Sequence, residues 1–215
     1  MLETKIIHLK KVDVRLAKVI DYFGPIDIKK HEFDSFFFLT REIVGQMISA
    51  KVKKVIFSRL LQLCEYKLNA ENISKLTFEQ LRKIGLSSSK TRFIKNLADI
   101  SLNNKFDFQN LLTLSDDEVF HKLKRIDGIG NWTAKMYLLF FLQRDDILPY
   151  EDSAFLQSFK WLYNLSDVSK NSIISQCHCW KPYSSIASRY LYIALDSGLT
   201  KMPIDKFLNY DKNGN

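Results

Sequence analysis

The sequence predicts an all-α fold, and three observations carry that reading. Only 7 Gly and 4 Pro occur in 215 residues, too few punctuating residues for a many-stranded β protein. Apolar residues recur at helical spacing in the long periodic segments. Two capping boxes, Thr77 with Gln80 and Ser115 with Glu118, satisfy the free amides of a helix start from both directions. A hydrophobic content of 46% against 26% charged residues is globular, and the length fits one large domain or two interlocked lobes.

Taken in chain order, a helix from Phe36 leads into the GQMIS segment. Lys51 to Tyr66 is then an amphipathic helix with Val52, Val55, Ile56, Leu60 and Leu63 on its apolar side and Lys51, Lys53, Lys54 and Arg59 mostly elsewhere. Helices begin near residues 78 and 116 at the two capping boxes. Between them, Ser89 to Ile100 places Phe93, Ile94, Leu97 and Ala98 on one stripe. Ser184 to Asp196 does the same with Ile186, Ala187, Tyr190, Leu191, Ala194 and Leu195, and Gly198 stands where a helix C-cap belongs. No repeat or low-complexity linker interrupts the chain, and only the tail DKNGN reads as frayed.

Composition also excludes several classes. The longest apolar run, Met136 to Leu142, is far short of the roughly 18 residues of a membrane span. The opening MLETKIIHLKKVDVRL lacks the apolar stretch of a secretory signal, so a cytoplasmic location is expected. Cys64, Cys177 and Cys179 form no disulfide framework and lack the second ligand pair of a zinc site. A net charge of +8 points to a polyanionic partner.

The most informative stretch is LKRIDGIGNWTAKMYLLFFL, Leu123 to Leu142. A capped helix from about Asp116 to Lys124 meets a tight hairpin, Ile126 to Gly130, and a second helix starts at Asn131 or Trp132. Gly128 and Gly130 permit positive φ and remove side chains that would block close approach, so peptide N–H groups can reach a phosphate at a helix N-terminus. A hairpin of this kind grips a DNA backbone without reading sequence, although an ordinary αα turn has the same outline. Nine residues after Gln143, in the Pro-led stretch DDILPYED, comes the acidic residue Asp152.

These motifs resemble the helix-hairpin-helix DNA glycosylases, which carry an LxxIxGIGxWTA hairpin followed by a catalytic Asp in an LPxxD context. Leu123, Ile126, Gly128, Ile129, Gly130, Trp132, Thr133 and Ala134 match the hairpin, and Leu148, Pro149 and Asp152 match the second motif. The upstream FFFLTREIVGQMISAKVKKVIFSRL is similar to the family's helix pair around Gln-Gln-x-Ser, with Met47 replacing the second Gln. GLSSSKTRFIKNLA and WKPYSSIASRYLY also match, so the resemblance spans most of residues 16 to 198. It is nearest to the DNA-3-methyladenine glycosylase II group, in a compact form. Ser184 departs from the pattern, because relatives usually place an Arg there.

The resemblance implies a two-lobed helical fold with a helix-hairpin-helix DNA-binding motif. Residues 35–147 would form the bundle bearing the hairpin, and 1–34 with 148–215 the second lobe, with the active site between them. It implies excision of alkylated purines of the 3-methyladenine type from duplex DNA by base flipping and water; separately, a monomer is expected. Asp152 would face the sugar as the catalytic carboxylate, with Glu151 the neighbouring acid; the competing reading makes Asp152 the N-cap of a helix beginning at Ser153. Strand-cutting members carry a Lys where this chain has Trp132, so no Schiff base is expected, and Lys135 is the nearest substitute. Trp132, Met136 and Tyr192 would line the base pocket, unless the aromatic pair belongs to the core. Met47 would be the wedge that fills the gap left by the flipped base, unless it is core at the end of the helix from Phe36. Gly128, Gly130, Asn131 and Thr133 would contact the DNA backbone.

No cofactor is required by this chemistry. The family's hairpin binds a monovalent cation, sodium or potassium, through carbonyls that would be those of Lys124, Ile126 and Ile129. The iron–sulfur cluster of some relatives needs four Cys, so none is expected from three wrongly spaced ones. Two rivals stay open: a glycosylase of the same fold for another lesion such as hypoxanthine or uracil, and a non-catalytic helix-hairpin-helix DNA-binding protein.

Overall fold

The computed structural model describes residues 2–28 and 32–209, and the tail DKNGN lies outside them. Among the described residues the chain is helical, with no strand. In order the helices are α1 (Leu2–Val12), α2 (Val14–Phe23), α3 (Ser35–Gly45), α4 (Ala50–Leu63), α5 (Ala70–Lys75), α6 (Phe78–Lys83) and α7 (Ser88–Leu102). There follow α8 (Asp116–Leu123), α9 (Asn131–Met136), α10 (Ser153–Tyr163), α11 (Lys170–Gln176), α12 (Ser184–Asp196) and α13 (Ile204–Leu208). Among the described residues no helix is long and apolar enough to cross a membrane.

Two compact units divide the chain: Met1–Lys29 together with Gln143–Asn215, and Lys30–Leu142. In the first, α10 packs on α12, and α2 packs on both. Its core gathers Leu16, Val19, Phe155, Phe159, Trp180, Tyr190 and Leu191. Asp13 organises one end. Its carboxylate caps α2 by accepting the N–H groups of Arg15 at 3.0 Å and Leu16 at 2.9 Å. The same group accepts Trp180 Nε1–H at 2.7 Å and the Tyr163 hydroxyl. Burial first, and then the Asp13 charge, push the Tyr163 phenol far above its ordinary range, so the phenol stays a donor.

In the second unit α7 is the central element, packed by α3, α5 and α6, while α8 pairs with α9. Both capping boxes form as the sequence predicts: Thr77 with Gln80 opens α6, and Ser115 with Glu118 opens α8. The stripe of α7 is buried at Ile94, Leu97 and Ala98. In α4 the buried seam is narrower than predicted. Ile56, Leu60 and, at the C-cap, Cys64 are buried at i, i+4 spacing, whereas Val52 in the first turn and Val55 are 44% and 45% exposed. Val55 lies about 100° around the helix from Ile56, which turns it out of that seam.

The second helix of the predicted hairpin motif starts at Asn131 but stays α-helical only to Met136, continuing as a π turn over Tyr137–Phe141. Tyr137 shares a hydrogen bond of 2.7 Å with Ser35 Oγ and stacks on Phe141 at 4.7 Å between centroids. Burial raises its phenol to about 12.

Candidate active site

The helix-hairpin-helix of the second unit runs from α8 through residues 124–130 into α9. Hydrogen bonds from Ile126 N–H to Leu123 O and from Ile129 N–H to Ile126 O, both 3.0 Å, close the turn. Gly128 adopts φ 87°, a left-handed conformation that glycine takes without strain. Gly130 does not: as N-cap of α9 it has φ −91° and ψ −173°, so the expectation of positive φ holds for one glycine only. The two glycines also differ in surroundings. A Cβ at Gly128 would stand 2.3 Å from Phe93 Cγ, whereas one at Gly130 would meet nothing within 4 Å. Gly128 therefore serves packing on α7, and Gly130 leaves the N-terminus of α9 open.

Asn131 is exposed beside that opening. Thr133 is not. At 1% exposure its hydroxyl faces inward and accepts Gln46 Nε2–H at 3.0 Å, so only its peptide N–H remains for a backbone contact. Trp132 is half-buried. Met136, expected to share its pocket, is 4% exposed and belongs to the core, because four residues further along α9 the helix has entered the bundle. Met47 is the opposite case. It lies on the turn after α3 with its side chain wholly exposed, which removes the reading of Met47 as core.

Sequence reasoning missed the two residues that hold this turn. Gln46 Nε2 donates to Gly128 O at 2.8 Å as well as to Thr133 Oγ1, joining the Met47 turn to the hairpin. Lys90 Nζ, from α7, donates to Val44 O at 2.8 Å and Gln46 O at 2.6 Å. Burial pulls the Lys90 ammonium below the ordinary lysine range. A further ion pair, Lys53 Nζ to buried Glu42 Oε2 at 2.9 Å, ties α4 to α3.

The first unit carries Asp152, which does cap α10. Its Oδ1 accepts Phe155 N–H at 2.8 Å, and its own N–H donates to Pro149 O at 2.9 Å. The carboxylate is thus fixed on a Pro-led turn at 8% exposure, and its position is set by the helix it starts. Glu151 beside it is exposed. The chain leading to this turn is pinned by the start of α12. Ser185 Oγ accepts Ile147 N–H at 2.9 Å and Ser185 N–H donates to Asp145 O at 3.0 Å. Ser184 is buried and donates its hydroxyl to Asp146 Oδ1 at 2.5 Å. The residue that stands where an Arg was expected therefore turns inward. It helps to brace the irregular segment before Asp152 instead of reaching for a phosphate. Tyr192, on the same helix, is partly buried against the core of this unit.

Among the described residues no group of three or more His, Cys, Asp or Glu could hold a metal ion.

Helical packing, the hairpin and the Asp-capped turn together define a protein of the helix-hairpin-helix class. The chain belongs to the HhH-GPD superfamily of base excision DNA repair proteins, whose family model matches residues 40–183. DNA-3-methyladenine glycosylase 1 of Schizosaccharomyces pombe is 27% identical over 195 residues, covering 86% of this chain and 84% of that protein. The crystal structure of DNA-3-methyladenine glycosidase from Bacillus halodurans superposes with a TM-score of 0.77 at 29% identity, covering 94% of this chain and 96% of the other. The S. pombe 3-methyladenine DNA glycosylase in complex with abasic DNA superposes with a TM-score of 0.81 over 97% and 100% of the two chains; at 23% identity this likeness speaks to the fold.

Proposed function

We propose that the chain is a monofunctional DNA glycosylase that hydrolyses the N-glycosidic bond of alkylated purines, 3-methyladenine among them, in duplex DNA. The observation that carries the reading is the similarity to proteins named 3-methyladenine glycosylases over most of both chains.

The chemistry follows from the residues. A methylated purine is cationic, so an aromatic face such as that of Trp132 or Tyr192 attracts it once it leaves the stack. As the glycosidic bond breaks, its electron pair goes to the base, which departs neutral and needs no strong general acid. Positive charge then develops at the anomeric carbon, where the Asp152 carboxylate would stabilise it and orient the water that attacks. Water adds at that carbon and loses a proton, leaving an abasic site. The N-cap bond to Phe155 suits this role, because a carboxylate already oriented by the backbone needs no reorganisation during reaction. Gly128, Gly130, Asn131 and the N–H of Thr133 would hold the backbone phosphates. A sodium or potassium ion on the carbonyls of Lys124, Ile126 and Ile129 belongs to the same proposal; the Ile126 oxygen has two lone pairs, so it can serve both the turn and the cation.

Incubating the protein with dimethyl-sulfate-treated duplex DNA and identifying the released bases by mass spectrometry tests the reading. Release of 3-methyladenine is expected. Release of hypoxanthine or uracil from deaminated DNA, with none from methylated DNA, would replace the substrate class.

Strand cleavage is a separate matter. Trp132 occupies the position from which an amine would attack the sugar, so borohydride added during turnover is expected to trap no protein–DNA adduct. An adduct that survives denaturing electrophoresis would reverse the monofunctional assignment and direct attention to Lys135.

A further inference from the structure

Met47 combines two properties that oppose each other. Its backbone is left-handed, at φ 55°, a conformation that is unfavourable for a residue with a Cβ. Yet its side chain is fully exposed, so no packing of that side chain offsets the strain. Strain of this kind persists only where the surroundings over-determine it, and it concentrates at functional sites.

The surroundings here are specific. The Lys90 ammonium bridges Val44 O and Gln46 O, at 2.8 and 2.6 Å, and Gln46 O belongs to the peptide that enters Met47. A cation at the C-terminal end of α3 also meets the negative end of that helix. From the other side, the Gln46 amide reaches Gly128 O and Thr133 Oγ1 at 2.8 and 3.0 Å, so the same peptide is tied to the hairpin. Gly45 completes the turn. A Cβ there would stand 2.6 Å from Lys53 Cδ, in the path of the side chain that reaches Glu42.

We propose that Lys90 and Gln46 are positioning residues that hold Met47 in its outward, left-handed conformation before DNA arrives, and join it to the hairpin as one rigid body. The proposal rests on the reading of Met47 as the wedge. Its consequence is that backbone grip and insertion are not independent events: a hairpin seated on phosphate brings Met47 with it, and no ordering of a loop is charged to the flipping step.

The test is a mutant cycle of Lys90→Met against Met47→Ala, with Lys90→Arg as the conservative variant that keeps a cation with several donors. Three readouts are taken: thermal melting, single-turnover release of 3-methyladenine from methylated DNA, and fluorescence of 2-aminopurine opposite a tetrahydrofuran abasic analogue. Met47→Ala and Lys90→Met are each expected to slow release about tenfold and to weaken the fluorescence change. Lys90→Arg is expected to recover most of the loss. The double variant should be no slower than Met47→Ala alone, because Lys90 acts through Met47.

Multiplication of the two losses to about a hundredfold would overturn the proposal. So would a Lys90→Met protein with a lowered melting temperature and an intact rate, which would make Lys90 merely structural. If Lys90→Met does not fold, Gln46→Met replaces it in the same cycle with the same expectation. An intact rate and signal in Met47→Ala would discard the wedge itself, and the clamp with it. Wild-type release of 3-methyladenine would still support the glycosylase reading.

Discussion

Asp152→Asn is expected to lose 3-methyladenine excision on the order of 100-fold or more while binding DNA and melting almost as the parent does. The expectation divides the two tasks of one side chain. As an N-cap, the Asp152 side chain accepts Phe155 N–H at 2.8 Å, and an Asn oxygen performs that task about equally well. As the charge proposed to face an oxocarbenium-like sugar it would have no neutral substitute, since an amide dipole recovers little of the stabilisation of a full negative charge. Asp152→Ala provides the contrast, because it removes the charge and the cap together and should cost about 1 kcal/mol of stability in addition. Single-turnover release from methylated DNA beside thermal melts separates the tasks. A near parental rate in Asp152→Asn would leave Asp152 a cap alone and move the search for the carboxylate to exposed Glu151.

Much of this was legible because it is local in sequence. The capping boxes at Thr77 and Ser115 concern residues three apart, and both form. The start of α9 at Asn131 and the full extent of α12, Ser184–Asp196, were marked by glycines and by a continuous apolar stripe. What was not legible depends on residues distant in sequence. Lys90 lies more than forty positions from the carbonyls it binds, and Gln46 more than eighty from Gly128 and Thr133. No periodicity carries such a pairing. Thr133 illustrates the limit: beside an open helix start it read as a surface donor, and only the approach of Gln46 explains why it faces inward. Ser184 is similar, since its partner Asp146 lies on another segment. In α4 the pattern included Val55, because periodicity gives the face of a helix and not the width of its cover.

The hairpin glycines give the sharpest contrast between what sequence implies and what structure assigns, and their alanine variants should diverge accordingly. Gly128→Ala is expected to destabilise the protein by about 2–4 kcal/mol, from overpacking plus backbone strain. The new Cβ would lie 2.3–2.7 Å from three atoms of Phe93, and the residue would have to keep φ 87°. The carbonyl of Gly128 also anchors Gln46 at 2.8 Å, so any shift that relieves the clash would pull on the Met47 turn. Gly130→Ala meets no atom within 4 Å, and φ −91° suits any residue. Alanine is a poorer N-cap than glycine but also restricts the unfolded chain, and these effects offset, leaving a change within about 1 kcal/mol. Its expected effect is on binding, because a methyl group at the open start of α9 stands where a phosphate would approach the peptide N–H groups. Thermal melts paired with fluorescence anisotropy on undamaged duplex measure both quantities. Gly130→Ala should melt like the parent and bind several-fold more weakly, whereas Gly128→Ala should melt lower. Parental affinity in Gly130→Ala would show that the hairpin amides are not the grip, and parental melting in Gly128→Ala would show that Phe93 yields.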